Sequence, residues 1–384
     1  MHEDLAAPPG ASAPFGPPPG AEATPVVTGP PPRRHVWAPW IAGILTVLVL
    51  AALVAAAFIH VPYVIISPGD ATPLDGGVLR VDGATTYRHE GDLLFLTVAV
   101  SSRDPNLYRY LFAKLDDNAS VEKRQEVIGC AGYAESARLS VDQMNQSQDV
   151  AKTVALRRLG YDVPDEPGRV QILDVQCDGP SDGRLQLGDV IVAVDGTPVS
   201  TADEVRPLIV AHAPGETAVF TVERDGKRRD VRVELGERPK DPETGDPGGA
   251  FAGIVTQTDR RHRIPIDVQI DTARVSGPSA GLAFSLAIID DLTPGNLTGG
   301  RDVAVTGTIA EDGTVGAVGG VAQKAVTARR AGARLMIVPQ DEVRDAKARA
   351  GDMKVEGVRT LDDALAALAA HGGASIAVPA GAAQ

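Results

Sequence analysis

The sequence predicts an α+β protein of several units, with an N-terminal transmembrane helix ahead of a small β/α module and a larger α/β domain. Three observations carry this expectation. From residue 250 to about 370, strand-like and helix-like stretches alternate, as they do in a sheet covered by helices. Between 169 and 236, short alternating runs are separated by Asp195-Gly196 and Asp225-Gly226, dipeptides that favour tight hairpins. From Val36 to Ile59 no side chain is charged over 24 residues, enough for a helix to cross roughly 30 Å of hydrocarbon.

Taken in order, residues 1–35 hold 10 of the 29 prolines and almost no apolar periodicity. Such a segment cannot bury enough surface to offset its ordering entropy, so it reads as a disordered tail. The span 36–60 follows, with Trp37 and Trp40 at one end and Tyr63 at the other, like an interfacial aromatic belt. Ala55-Ala56-Ala57 would suit a cleaved signal peptide, but the run is long and begins late, which favours an anchor. Arg33 and Arg34 precede the run and the next Lys or Arg is Arg80. The expected placement is therefore a single-pass cell-membrane protein with a cytoplasmic N-terminus, the bilayer as partner and the rest outside. A disulfide between Cys130 and Cys177 is permitted there.

Residues 61–130 read as β-rich, with DLLFLTVAV at 92–100. Residues 131–236 comprise a helical lead-in, in which Val150, Val154 and Leu159 form a stripe, and a module with its core at 169–236. Thr201 opens a short helix there. A polar Pro/Gly linker (237–249), an α/β unit (250–372) and an Ala/Gly-rich tail (373–384) complete the chain.

Length and charge narrow the function. A chain of 384 residues has room for two or three folded units. With 37 Lys+Arg against 50 Asp+Glu, the net charge of −13 argues against nucleic acid as a partner. The 2 cysteines form no CxxC or Cys/His cluster, so neither a metal nor a cofactor is expected.

The chemistry-bearing stretch is DTARVSGPSAGLAFSLAIID (271–290). Gly277-Pro278-Ser279-Ala280-Gly281 forms a small-residue turn before an apolar helix that is expected to begin near Ser279, with Pro278 in its first position. Unpaired N–H groups around Ser279 and Ala280 could hold an oxyanion; equally, Ser279 could simply cap the helix. A base is found in DVAVTGTIAEDGTVGAVGGVAQKAV (302–326), where Lys324 falls early in a helix among Val321, Ala322, Ala325 and Val326. The helix dipole and burial both disfavour its charged form, and a neutral amine is a competent base. Read alone, Lys324 is also an ordinary surface lysine of an amphipathic helix.

Two resemblances follow from these motifs. GRLQLGDVIVAVDGTPV (183–199) and the helix after it resemble a PDZ domain of the bacterial protease-associated kind. This implies a groove between a strand at Val170–Val175 and the helix near 202–212, where an extended peptide could add to the strand edge. EPGRV (166–170) departs from the usual carboxylate-binding signature. GPSAG, then VAVTG, a DG turn, GG and an early-helix Lys resemble the Lon proteolytic domain. The resemblance implies a Ser279–Lys324 dyad, with Thr306 orienting the lysine. It also implies that EGDLLFLTVAV (90–100) is an early strand of the same domain and that the PDZ module is inserted into it. The match is nearest to membrane-anchored Lon-like proteases with a PDZ domain, for which a homo-oligomeric ring is compatible. Two features depart from the family. Val275 and Ser276 stand where an acidic residue often precedes GPSAG, leaving Asp271 as the nearest upstream carboxylate, and no GxxxxGK[ST] phosphate loop occurs.

The expected function is thus an ATP-independent serine endopeptidase acting on extracytoplasmic proteins or peptides through Ser279 and Lys324, supported by Thr306 and Ala280. Two alternatives remain: a membrane-tethered PDZ adaptor with an inactive protease-like domain, and a Ser–His–Asp esterase, for which His371 is the sole downstream histidine.

Overall fold

The computed structural model describes residues 37–75, 77–129, 132–238, 248–272 and 275–376. The expected tail 1–35, the centre of the linker and Cys130 lie outside the described residues; Cys177 is disulfide-bonded. The chain divides into two compact units, residues 1–53 and 54–384.

Helix α1 (Trp37–Phe58) occupies the uncharged run. No helix among the described residues is long and apolar enough to cross a membrane. This corrects the expected transmembrane helix at 36–60, the bilayer as a partner and the cell-membrane topology.

The first strands of the second unit are β1 (Tyr63–Pro73), β2 (Leu79–Asp82), β3 (Leu93–Val100) and β4 (Ser120–Lys123). A 26-residue helix, α2 (Tyr133–Arg158), follows and buries the expected stripe at Val154. Next come β5 (Asp165–Val175), β6 (Val190–Val194), helix α3 (Ala202–Val210), β7 (Thr217–Arg224) and β8 (Lys227–Glu234). Thr201 caps α3, its N–H donating to the Glu204 carboxylate (3.2 Å). The C-terminal part contains β9 (Ile254–His262), β10 (Asp267–Ile270), α4 (Gly281–Leu292), β11 (Val303–Val305), α5 (Val321–Arg330), β12 (Leu335–Pro339), β13 (Lys354–Val358) and α6 (Leu361–Ala370).

One six-stranded sheet joins segments far apart in sequence, in the order β13-β12-β11-β3-β1-β4. β3, β11, β12 and β13 are parallel, and β1 pairs antiparallel with both of its neighbours, β3 and β4. The unbroken apolar run Leu93–Leu96 has a direct explanation. Leu93 and Phe95 enter one core with α4, while Leu94 and Leu96 enter a second with Val321 and Ala325 of α5. Both faces are covered, so both must be apolar. The helix after the GPSAG turn and the helix of Lys324 thus lie on opposite faces of one sheet.

The second sheet is antiparallel in the order β9-β5-β6-β7-β8, with Val170, Ile172, Phe220, Val205 and Ile209 in its core. Its topology corrects the expected docking edge. β5 is paired on both sides, with Val175 opposite Ile254 of β9 and Val170 opposite Ile191 of β6. The groove of about 420 Å³ instead lies between α3 and the start of β9, lined by Val205, Val210, Ala252, Ile254 and Val255. The strand that closes it comes from beyond the linker.

Candidate active site

Ser279, Thr306 and Lys324 come from three elements that meet at one end of the parallel strands. β11 ends at Val305, which places Thr306 at the carboxyl end of the sheet, the usual position for a site in open α/β sheets. α4 begins at Gly281 with Ala280 as its cap, so Pro278 and Ser279 belong to the preceding turn; the helix starts two residues later than expected. Gly277 has φ +95°, a left-handed conformation that glycine adopts without strain. α5 starts after Gly320 (φ +68°), and the Lys324 N–H donates to the Gly320 carbonyl (2.9 Å). A Cβ at Gly320 would stand 2.9 Å from Val98 Cγ1, so the helix start also needs glycine for its close approach to β3.

Lys324 Nζ lies 2.7 Å from Ser279 Oγ and 3.0 Å from Thr306 Oγ1. Thr306 Oγ1 in turn donates to the Ser279 carbonyl (3.2 Å), which also accepts from the Gly307 N–H (3.0 Å). Thr306 is fully buried, Lys324 is 1% exposed and Ser279 is half-buried. Burial lowers the Lys324 pKa to about 8, and the Glu342 carboxylate opposes that shift. Glu342 itself is pushed up, chiefly by burial; its Oε1 accepts from Val318 N–H (3.1 Å), and its Oε2 is buried with no hydrogen-bond partner. A serine hydroxyl against an amine that loses its proton near pH 8 is an arrangement for nucleophile activation.

Ala280 is buried beside the serine. Among the described backbone hydrogen bonds, the N–H groups of Ser279 and Ala280 donate to no partner, so two adjacent donors are available beside the Ser279 hydroxyl. His371 is not part of the constellation: its Nε2 pairs with Glu356 (2.9 Å). Among the described residues no group of His, Cys, Asp and Glu could hold a metal ion.

Sequence reasoning missed Glu342, Ser140 and Ser147. Ser147 Oγ donates to the Pro278 carbonyl (3.0 Å), and the Ser140 carbonyl accepts from Gly277 N–H (2.8 Å). Both serines sit on α2, where only the spacing of seven residues, two helical turns on one face, was available as a signal.

Comparison with known proteins agrees with the two-module reading. Residues 157–235 match the PDZ domain model, and residues 252–370 match the Lon protease (S16) C-terminal proteolytic domain. The chain is 33% identical over 117 residues to a Lon protease of Haemophilus influenzae, covering 29% of this chain and 14% of that protein. It is 38% identical over 91 residues to a Lon protease of Fusobacterium nucleatum, covering 23% and 12%. It is also 37% identical over 78 residues to a "Probable periplasmic serine endoprotease DegP-like" of Ectopseudomonas mendocina, covering 20% and 16%. The chain thus spans less than a fifth of the length of each of these relatives. It combines a PDZ domain with a Lon-type proteolytic domain of the serine peptidase class.

Proposed function

We propose that the chain is an endopeptidase that needs no nucleotide and works through a Ser279–Lys324 dyad. The observation that carries the reading is the 2.7 Å approach of Lys324 Nζ to Ser279 Oγ inside a buried site. With the amine neutral, the Ser279 hydroxyl donates to Nζ and passes its proton as Oγ attacks a peptide carbonyl. The N–H groups of Ser279 and Ala280 take the developing oxyanion. The Lys324 ammonium then protonates the leaving amine, and the neutral lysine activates the water that hydrolyses the acyl-enzyme. Thr306 Oγ1 orients Nζ throughout.

The shared six-stranded sheet supports assigning residues 61–130 and 250–372 to one proteolytic domain, with the PDZ-type module between them. The groove between α3 and β9 would take an extended segment of a protein substrate, by strand addition at the free edge of β9. An inactive adaptor has no use for a buried lysine against a serine, and an esterase triad would need His371, which is engaged by Glu356.

The test is hydrolysis of an unstructured fluorogenic peptide by wild type, Ser279→Ala and Lys324→Arg. Arginine keeps the charge but cannot deprotonate in a protein. Both variants are expected to be folded and comparably inactive, since residues acting as a unit are non-additive. Near wild-type turnover by Lys324→Arg would remove the dyad.

A further inference from the structure

Helix α2 carries the nucleophile turn on its surface. Along one face it offers the Ser140 carbonyl to Gly277 N–H (2.8 Å) and the Ser147 hydroxyl to the Pro278 carbonyl (3.0 Å). Further along, the Ala151 carbonyl accepts from Ser285 Oγ of α4 (3.4 Å). The approach is close: a Cβ at Gly281 would lie 2.8 Å from Ser147 Oγ. Ser147 is 7% exposed, so no water competes easily for its hydroxyl.

The peptide bond is rigid and planar, with C=O and N–H pointing in opposite directions in the trans form. The carbonyl of Pro278 and the N–H of Ser279 belong to one such plane. Holding the carbonyl at α2 therefore aims the Ser279 N–H away from α2. The next plane joins the Ser279 carbonyl to the Ala280 N–H, and its carbonyl is held by Thr306 Oγ1 and Gly307 N–H. Each free N–H at the nucleophile is thus oriented by a carbonyl fixed at the opposite end of its own peptide plane.

We propose that Ser147 is a positioning residue for catalysis, setting the direction of the Ser279 N–H that receives the oxyanion through its hydrogen bond to the Pro278 carbonyl. The inference rests on the Ser279–Lys324 reading. Ser147 acts through the Pro278–Ser279 peptide plane and makes no hydrogen bond to Lys324, so its removal is expected to act on the oxyanion donor and to leave the base in place.

The experiment compares Ser147→Ala and Ser147→Cys with wild type in the full chain. For Ser147→Ala, kcat on the unstructured peptide is expected to fall about tenfold or more, because a misplaced reacting group costs up to ~100-fold, while KM stays within twofold. Equal loss in kcat and kcat/KM marks an interaction made only in the transition state. A peptidyl boronate, whose tetrahedral adduct needs the same donor, is expected to weaken by the factor lost in kcat, and the acid limb of the pH profile to stay in place. Ser147→Cys keeps the size with a weaker donor and is expected to lose about fourfold in kcat, between the two; if Ser147→Ala fails to fold, this variant decides. The proposal is overturned if a folded variant keeps kcat within twofold of wild type, or if the pH limb moves. Should Lys324→Arg be inactive while both Ser147 variants turn over normally, this inference fails and the dyad stands; an active Lys324→Arg removes the dyad itself.

Discussion

Replacing Lys324 by methionine removes a buried charge while keeping the length of the side chain, and its effect on stability is calculable. Burial takes the ammonium from 10.5 in an exposed setting to about 8 in the fold. Below pH 8 the lysine is protonated in both folded and unfolded chains, and carrying that charge inside costs roughly 3 kcal/mol at ~1.4 kcal/mol per tenfold change. Between about pH 8 and 10.5 the unfolded chain binds a proton that the folded one has released, so wild-type stability rises with pH across that window. Methionine avoids this cost but forfeits the bonds to Ser279 and Thr306, worth about 1 kcal/mol each. Lys324→Met is therefore expected to be inactive yet more stable than wild type by about 1 kcal/mol at pH 7. The difference changes sign near pH ~9 and reaches about 2 kcal/mol in favour of wild type above pH ~10.5. Urea midpoints of both proteins, measured in steps from pH 6.5 to 11, give the difference directly, because groups remote from residue 324 titrate alike in both. A difference that is the same at every pH would refute the claim that the fold depresses this lysine.

Glu342 opposes the depression of Lys324, so Glu342→Gln is expected to move the acid limb of kcat/KM to lower pH by roughly half a unit to one unit, raising activity at pH 7; movement to higher pH would contradict the assignment. In the groove, Val210 and Val255 are 45% and 54% exposed and line its walls. The double change Val210→Asp/Val255→Asp is expected to raise KM for a protein substrate about tenfold, the worth of one buried valine, with peptide hydrolysis unchanged. Equal loss on both substrates would assign the module a structural role.

Much of the candidate site was legible because its parts sit in short, distinctive local patterns. A small-residue turn before an apolar helix marked Ser279 and Ala280, and a glycine pair before a helix marked Lys324. Thr306 came from resemblance, and its place at the end of β11 gives it a physical reason: it bridges the serine carbonyl and the amine. What was hidden depends on contacts across the chain. Ser147 reaches Pro278 over 131 residues, and nothing in the local pattern of α2 says which polar residue of its surface meets a partner. The groove edge was misplaced for the same reason: an alternating run shows which face of β5 is buried but not that β9, past the linker, covers its edge. The uncharged run at 36–59 specified a helix, and α1 forms. Its extension into a membrane-spanning element did not follow.

The most direct test is the pH dependence of Ser279 acylation in a single turnover with a serine-reactive phosphonate. If Lys324 is the base, the second-order rate rises tenfold per pH unit and levels near pH 8, where burial has set its pKa, and Lys324→Arg reacts at no measurable rate at any pH. An inflection near ~6.5, where a histidine titrates, or acylation of Lys324→Arg at close to the wild-type rate, would contradict the account.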